Sequence, residues 1–410
     1  FVEGKFEGLN FFSIRKQKVG DIIVDALIEA LQSKQVNRRP FPTENPSARY
    51  GEISIETRAY LSNILDFLHS NANLLKEKVV EESATKFNSF PNPNTKVFKE
   101  IILEDVLLTG STGHIGIKVA EDLSKFKEKY FVSSNRSRNP VSPSKAIPID
   151  LHLSNDDSRK KFIAKGGIIH LASARSNSDD NFVSNEVNLN FNITRIWAGG
   201  HFTYLSSGVI YPAIDSAQIS ESTLPSPGSL YAVGKLMGEY LVKERYEELM
   251  VRNIKASYTV IRFFIVFGLN SRFHADQVLY GLCKHIFEGG LFFCDDRCGF
   301  EGYGFSWISL SDLSRAITES QIYKVNGIFN LASGFITWKE LINKISIRMS
   351  TVIDVHFEEK LEGIDYFSIP NSRGMLDISN AQRELAWTPT SNIDALLDEY
   401  IPNFINHYTS

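Results

Sequence analysis

The sequence lacks any apolar run close to the ~20 residues that a membrane-spanning helix needs. Its longest apolar runs, such as residues 258–268, have the length of a strand and are interrupted by charge. This absence argues against a transmembrane helix, and we predict no membrane partner.

Cysteine is also scarce. Cys283, Cys294 and Cys298 are too few for a disulfide framework. Cys294 and Cys298 are close enough to share a metal, but no second Cys or His pair accompanies them. We therefore predict no metal site and buried, inactive thiols. So few cysteines are typical of a reducing compartment, and we expect a cytoplasmic protein.

No excess of one charge sign is present, because 44 Lys and Arg residues stand against 48 Asp and Glu residues, a net charge of −4. Such a chain has no overall field that would attract nucleic acid, so we predict no nucleic-acid partner. Hydrophobic residues make up 43% and charged residues 22%, as in ordinary globular proteins. A length of 410 residues predicts two or three domains.

The first hundred residues differ in pattern from the rest. Residues 21–31 and about 57–82 have the apolar spacing of amphipathic helices, and residues 88–95 have the composition of a linker. No residue there indicates chemistry. We predict a helical N-terminal extension, residues 1–95, of unknown role; packing, oligomer contact and contact with a partner remain open.

From residue 101 onward, apolar runs of strand length alternate with segments of helical period. This alternation predicts βαβ units and an α/β fold with a doubly wound parallel sheet. We assign residues 101–270 to the domain that carries this sheet. Residues 271–410 are assigned mainly to a smaller α/β substrate lobe, with some segments returning to the Rossmann core.

The strongest local motif is a glycine-rich turn between a predicted strand and a predicted helix. Its three glycines permit a tight turn, close approach of a pyrophosphate, and close packing of the helix on the strand. The N–H groups of the helix start then face the phosphate charge. The predicted cofactor contacts in this turn are Gly110, Thr112, Gly113, His114, Ile115 and Gly116.

The end of the second strand selects the cofactor. An acid about twenty residues past the glycines would bind the ribose of NAD, whereas an arginine there accommodates the 2′-phosphate of NADP. Asn135 and Arg136 occupy this position, and no carboxylate lies in residues 130–149. We predict NADP, with NAD left open and a solvated loop as the alternative role of these residues.

Tyr231 and Lys235 lie four residues apart and share one face of a predicted helix. An ammonium beside a phenol lowers the pKa of the phenol, which can then act as a general acid or base. Upstream, the predicted strand 201–205 ends in hydroxyls at Ser206 and Ser207.

Taken in order, these motifs resemble the extended short-chain dehydrogenase/reductase family, which includes nucleotide-sugar epimerases, dehydratases and ketoreductases. The resemblance covers residues 104–410 and implies that residues 101–270 form an NAD(P)-binding Rossmann domain. It implies that Ser207 polarises the reacting oxygen, Tyr231 is the acid or base, and Lys235 holds the nicotinamide ribose. Helix capping, buried hydrogen bonding and core packing are the alternative roles for several of the further cofactor contacts that the resemblance implies. These contacts are Asp150, Leu151, Leu171, Ala172, Ser173, Asn190, Tyr231, Lys235 and Phe264.

The substrate half departs from the family pattern. Ile265 stands where the family usually has an Asn that grips substrate, and Phe305 stands where an Arg often binds a diphosphate. Arg272 and Arg373 are alternative cations. The Gly208–Val209 dipeptide replaces the Asp-Glu of the dehydratase branch, which disfavours dehydration.

We therefore predict an NADP-dependent oxidoreductase that reduces a keto group of a sugar or sugar-like substrate by hydride transfer. The alternatives are an NAD-dependent nucleotide-sugar epimerase and a non-catalytic dinucleotide-binding scaffold. We expect a small, carbohydrate-derived substrate, and a homodimer through helices of the Rossmann domain remains open.

Overall fold

The computed structural model describes residues 99–125, 131–134, 145–147, 160–174, 182–212, 218–270, 278–294, 302–353, 355–357, 366–369 and 373–409. The predicted N-terminal extension, residues 1–95, lies outside these ranges.

The strands within these ranges are β1 (Lys99–Leu103), β2 (Val106–Thr109), β3 (Phe131–Ser134), β4 (Lys145–Ile147), β5 (Lys160–Ala164), β6 (Gly167–His170), β7 (Gly200–Leu205), β8 (Gln218–Ile219), β9 (Ala256–Arg262), β10 (Ile265–Phe267), β11 (Leu291–Phe293), β12 (Gly304–Ser309), β13 (Gly327–Asn330), β14 (Gly334–Thr337), β15 (Val355–His356), β16 (Tyr366–Ser368) and β17 (Met375–Leu376).

The α-helices are α1 (His114–Ser124), α2 (Phe182–Ile196), α3 (Leu230–Val251), α4 (Val278–Phe287), α5 (Leu310–Tyr323), α6 (Trp338–Met349), α7 (Ser379–Glu384) and α8 (Ile393–Thr409). A short 3-10 helix spans Gly208–Ile210. Among these described helices, none is both long enough and apolar enough to cross a membrane.

The central sheet has seven strands in the order β13-β9-β7-β6-β2-β3-β4. Every neighbouring pair is parallel. The chain order reverses between β2 and β6, and crevices at such reversals, at the carboxyl ends of the strands, are where ligands bind in open α/β sheets. The predicted doubly wound parallel sheet is confirmed.

Successive residues of β2 enter different cores, because side chains alternate between the two faces of a strand. Val106 and Leu108 pack with α1 and α5, whereas Leu107 packs with α2 and α3. The sheet is thus covered by helices on both faces, which explains why its strands read as nearly continuous apolar runs.

Residues 102–108, the first of the apolar runs, are divided between two strands in the structure. β1 pairs with β5, and only β2 enters the central sheet. The break falls at Glu104, which is exposed. The carbonyl of Leu103 there accepts hydrogen bonds from the backbone N–H groups of Lys165 (2.8 Å) and Gly166 (3.2 Å).

The C-terminal segments build a second core around two three-stranded sheets, β10-β12-β14 and β15-β11-β16, with α4, α6 and α8. This core is rich in aromatic side chains and also contains buried Cys283 and Cys294. Within the same part of the chain, β13 instead joins the central sheet, and α5 packs against one face of that sheet.

Asp312 joins α5 to the chain before α8. Its buried carboxylate accepts hydrogen bonds from the hydroxyl of Ser333 (2.7 Å), the N–H (3.0 Å) and hydroxyl (2.9 Å) of Thr390, and the N–H of Ser391 (3.1 Å). Burial raises the pKa of Asp312, but these hydrogen bonds outweigh it and lower the pKa from 3.8 to about 2.

We expect Asp312→Asn to lower the free energy of unfolding at pH 7 by about 2 kcal/mol, because a depressed pKa is itself a stability contribution. This contribution is fully present above the unfolded pKa and is lost as the pH falls from about 4 to about 2. Urea unfolding of both proteins across this range measures it. Asp398→Asn is the control, since the ion pair of Asp398 with Arg348 is exposed and should matter little. An unchanged stability of Asp312→Asn at pH 7 would contradict the prediction.

Candidate active site

The glycine-rich turn joins β2 to α1 at the carboxyl edge of the sheet. Gly110 has φ +69°, and a Cβ built there would lie 2.7 Å from the backbone nitrogen of Ala172. α1 begins with Gly113 as its N-cap, and no side chain caps it. Such a helix start offers its first N–H groups to an anion. The turn, with Thr112, His114 and Ile115 at its helical end, therefore fits the pyrophosphate of a dinucleotide.

Hydrogen bonds join β2 to β6 where the chain order of the sheet reverses. The hydroxyl oxygen of Thr109 accepts the N–H groups of Leu171 and Ala172, each at 3.2 Å. Its proton is thus available to Nδ1 of His170 (2.7 Å), and Nε2 of His170 donates to Oδ1 of Asn190 (3.1 Å). Burial, followed by the charge of Lys235, lowers the pKa of His170 to about 4, so this imidazole is neutral near pH 7.

Ser207 and Tyr231 are brought together by β7 and α3. Ser207 follows the end of β7 and caps the 3-10 helix, accepting the N–H of Val209 (3.4 Å). Tyr231 lies in the first turn of α3, which Ser229 caps by accepting the N–H of Ala232 (3.2 Å). The hydroxyl of Ser207, which donates to the carbonyl of Phe263 (3.4 Å), is close enough to Tyr231 to lower the pKa of its phenol. A phenol and a hydroxyl in this arrangement can address one substrate oxygen.

Lys235 lies one turn further along α3 and is buried. Its Nζ is 5.6 Å from the ring centroid of Tyr231 and 3.0 Å from Oε1 of Glu186. The structure differs here from the expected lowering of the pKa of Tyr231. Removal from water, and next the charge of Glu186, raise the pKa of Tyr231, and the hydrogen bond of Ser207 opposes them only in part.

Glu186 was not among the predicted site residues. It lies in α2, is fully buried, and accepts hydrogen bonds from the N–H of Ala174 (2.5 Å) and the hydroxyl of Ser173 (3.0 Å). Its position four residues before Asn190, on the same helical face, was the one available signal.

A second buried ion pair lies one turn beyond Lys235. Arg262, at the end of β9, donates to both carboxylate oxygens of Glu239 (3.0 and 2.5 Å) and to the hydroxyl of Tyr211 (2.7 Å). Tyr211 donates in turn to Asn330 of β13 (2.9 Å), and Ser206 donates to Glu239. This network fixes α3, and with it Tyr231, against the carboxyl ends of three strands.

Phe264, a predicted cofactor contact, and Ile265 and Phe305, which depart from the family pattern, have distinct places. Phe264 packs on Gly208, where an added Cβ would lie 2.8 Å from its ring, so Phe264 lies beside Ser207. Ile265 is half-buried in β10. Phe305 is fully buried, with its ring centroid 4.6 Å from that of Trp338, and therefore belongs to the core of the C-terminal lobe.

Asn270 is a further contact that the sequence did not indicate. It follows β10 and donates through Nδ2 to the backbone carbonyl of His114 (2.9 Å) at the start of α1. The glycine-rich turn is thus connected to the segment that enters the C-terminal lobe.

Several predicted residues lie outside the described ranges. They are Asn135, Arg136, Asp150, Leu151, Arg272 and Cys298. Within the described ranges, no group of three His, Cys, Asp or Glu side chains could hold a metal ion.

Comparison with known proteins gives one family that part of the chain is similar to. The sequence profile of the NAD dependent epimerase/dehydratase family matches residues 106–296, which include the glycine-rich turn, Ser207, Tyr231 and Lys235. Residues 106–296, just under half of the chain, thus resemble an epimerase/dehydratase domain. This confirms the resemblance to extended short-chain dehydrogenases/reductases. A comparison with curated protein sequences gave no match.

Solved structures share the fold of this epimerase/dehydratase domain. MoeE5 in complex with UDP-glucose and NAD has a TM-score of 0.58 at 21% identity, covering 75% of this chain and 100% of its own. The UDP-glucuronic acid 4-epimerase of Bacillus cereus, with UDP-glucuronic acid and NAD, has a TM-score of 0.59 at 19% identity, with 74% and 100% covered. The UDP-glucose 4-epimerase of Thermotoga maritima has a TM-score of 0.55 at 18% identity, with 75% and 100% covered.

Two glycines of the turn give a matched pair of variants. A Cβ on Gly116 would lie 2.1 Å from the carbonyl oxygen of Gly110, whereas a Cβ on Gly113 would meet the same atom at 3.2 Å. We expect Gly116→Ala to be destabilised by about 2 kcal/mol or more because backbone must move. Gly113→Ala should fold with near-normal stability and bind NADH at least about tenfold more weakly, a loss of ~1.4 kcal/mol. Thermal unfolding and NADH fluorescence titration measure these effects; unchanged affinity of Gly113→Ala would contradict a phosphate at this position.

Proposed function

We propose that this protein is a nicotinamide-dinucleotide-dependent enzyme that interconverts a secondary alcohol and a ketone on a sugar-type molecule. The observation that carries the proposal is that Lys235 Nζ lies 5.6 Å from the ring centroid of Tyr231, with Ser207 close enough to influence the same phenol. These groups stand at the same edge of the sheet as the glycine-rich turn. A proton-transfer group and a dinucleotide site therefore face one crevice.

The residues of the chain would divide the work as follows. Tyr231 takes the hydroxyl proton of the substrate when the carbon is oxidised and returns it when the carbon is reduced. Ser207 donates a hydrogen bond to the same oxygen, and Lys235 offers its ammonium to the nicotinamide ribose. The glycine-rich turn and the start of α1 hold the pyrophosphate. The cofactor, when bound, supplies the acceptor and donor of hydride.

Epimerisation with NAD is the first candidate: oxidation of a carbinol carbon and its reduction from the other face. Its support is the family of residues 106–296 and the NAD bound in two proteins of the same fold. NADP-dependent ketoreduction, our prediction from the sequence, is second. Its support is Arg136 and the lack of an acid in residues 130–149. A non-catalytic scaffold is disfavoured because Ser207 and Tyr231 meet.

The proposed substrate is a small carbohydrate, and a nucleotide sugar is the first class to test because the named proteins of this fold bind UDP-sugars. Four further expectations also stay predictions. They are a homodimer, contact of residues 1–95 with a partner, a cytoplasmic location, and a domain boundary between residues 270 and 271.

Cofactor choice is tested by fluorescence titration with NADH and NADPH, together with analysis of nucleotide released from the purified protein on denaturation. The epimerase predicts NADH binding at least about tenfold tighter than NADPH, or ~1.4 kcal/mol, and NAD that co-purifies. Tighter NADPH with no retained nucleotide would favour the reductase instead. Failure of both to bind would overturn the proposed function.

Tyr231→Phe separates chemistry from binding. With UDP-glucose and UDP-glucuronic acid as probes, we expect turnover to fall by about 10²–10⁴-fold, the usual size of a general acid–base contribution, with little change in NADH affinity. Tyr240→Phe on the same helix is the matched control and should keep turnover. Product is followed by chromatography of the nucleotide sugars. Full activity in Tyr231→Phe would exclude Tyr231 as the acid or base.

A further inference from the structure

The charge on Lys235 is balanced by a carboxylate inside the site. Glu186 is fully buried, and its Oε1 lies 3.0 Å from Nζ of Lys235, which is itself buried. Oε2 of Glu186 accepts the N–H of Ala174 and the hydroxyl of Ser173. Glu186 therefore connects α2, the chain after β6, and the catalytic helix α3.

A buried carboxylate is costly unless it is paired and hydrogen-bonded. Both conditions hold here, and the pairing, together with the N–H of Ala174, outweighs burial and lowers the pKa of Glu186. The carboxylate is consequently ionised near pH 7. The pair of Glu186 and Lys235 has no net charge, so Tyr231 stands beside a balanced pair instead of a lone ammonium.

Other titratable and charged groups lie near the pair, but among the residues that the structure describes they do not take over the influence of Glu186 on Tyr231. His170 of β6 is neutral, as shown above. Tyr204 of β7 is fully buried, and its pKa is raised, so it stays protonated. Glu239, the next acid along α3, is bound by Arg262. Glu186 is thus the anion with an identifiable influence on Tyr231.

We propose that Glu186 is a positioning residue that holds Lys235 and balances its charge beside Tyr231. This inference rests on the proposed function for the role of Tyr231. It predicts an enzyme whose proton transfer begins at a more alkaline pH than a lone lysine would give.

Glu186→Gln tests the inference, because the amide keeps the shape and one acceptor but removes the charge. The alkaline rise of tyrosinate absorbance is recorded for each protein and for the same protein with Tyr231→Phe, and the difference isolates Tyr231. We expect Tyr231 to titrate at least about one pH unit lower in Glu186→Gln than in the wild type. Glu248→Gln, at the other end of α3, is the matched control and should leave this transition unchanged.

An unmoved Tyr231 transition in a folded Glu186→Gln protein, with only thermal stability reduced, would overturn the inference. Where an activity is available, the acid limb of its pH profile should move to lower pH by the same amount, since a group of lower pKa loses its proton earlier. The absorbance titration needs neither substrate nor turnover. Failure of the proposed function therefore remains distinguishable from failure of this inference.

A double-mutant cycle covers the case in which Glu186→Gln does not fold. The double variant Glu186→Gln/Lys235→Gln lacks both charges, whose fields at Tyr231 oppose each other. The titration of Tyr231 in this variant should therefore stay within about half a pH unit of that in the wild type. Lys235→Gln alone should move the transition to higher pH. A double variant that matches Lys235→Gln alone would show that Glu186 has no influence and would overturn the inference.

Discussion

The site depends on one constraint: in a parallel sheet covered by helices on both faces, the carboxyl ends of all strands lie at a single edge. Three segments of the candidate site lie at that edge because each follows a strand of the sheet. The glycine-rich turn follows β2, the segment of Ala172 follows β6, and Ser207 follows β7. Because the chain order reverses between β2 and β6, the turn and the segment after β6 diverge there and leave a crevice. The bond between Thr109 and His170 holds the two strand ends in register.

Helix α3 is buried through its first turns, although it carries charged residues there. Lys235 and Glu239, four residues apart, do not pair with each other; each instead binds an opposite charge on another element, Glu186 of α2 and Arg262 of β9. Removing one partner of a buried pair costs ~3–5 kcal/mol, so both pairs strongly define the position of α3. Precise placement of Tyr231 is the functional consequence.

Local patterns predicted much of this arrangement. The glycine spacing gave the turn, and the Tyr231–Lys235 spacing placed both residues in the first turns of one helix. The role of Glu186 could not be found in this way: its spacing from Asn190 indicates a shared helical face, but its ion pair with Lys235 joins helices distant in sequence. The same holds for Asn270, whose contact with His114 depends on how the chain returns to the sheet. Sequence spacing reports neighbours within an element, whereas these contacts depend on tertiary packing.

The substrate half shows how packing limits chemistry. Phe305 lies in β12 with its ring between those of Phe267 (6.0 Å) and Trp338 (4.6 Å). An arginine at this fully buried position would need a buried partner for its charge, and the surrounding core is aromatic. The aromatic core of the lobe and a cation at position 305 therefore exclude each other. A diphosphate on the substrate, if it has one, must therefore be bound by residues other than the one at position 305.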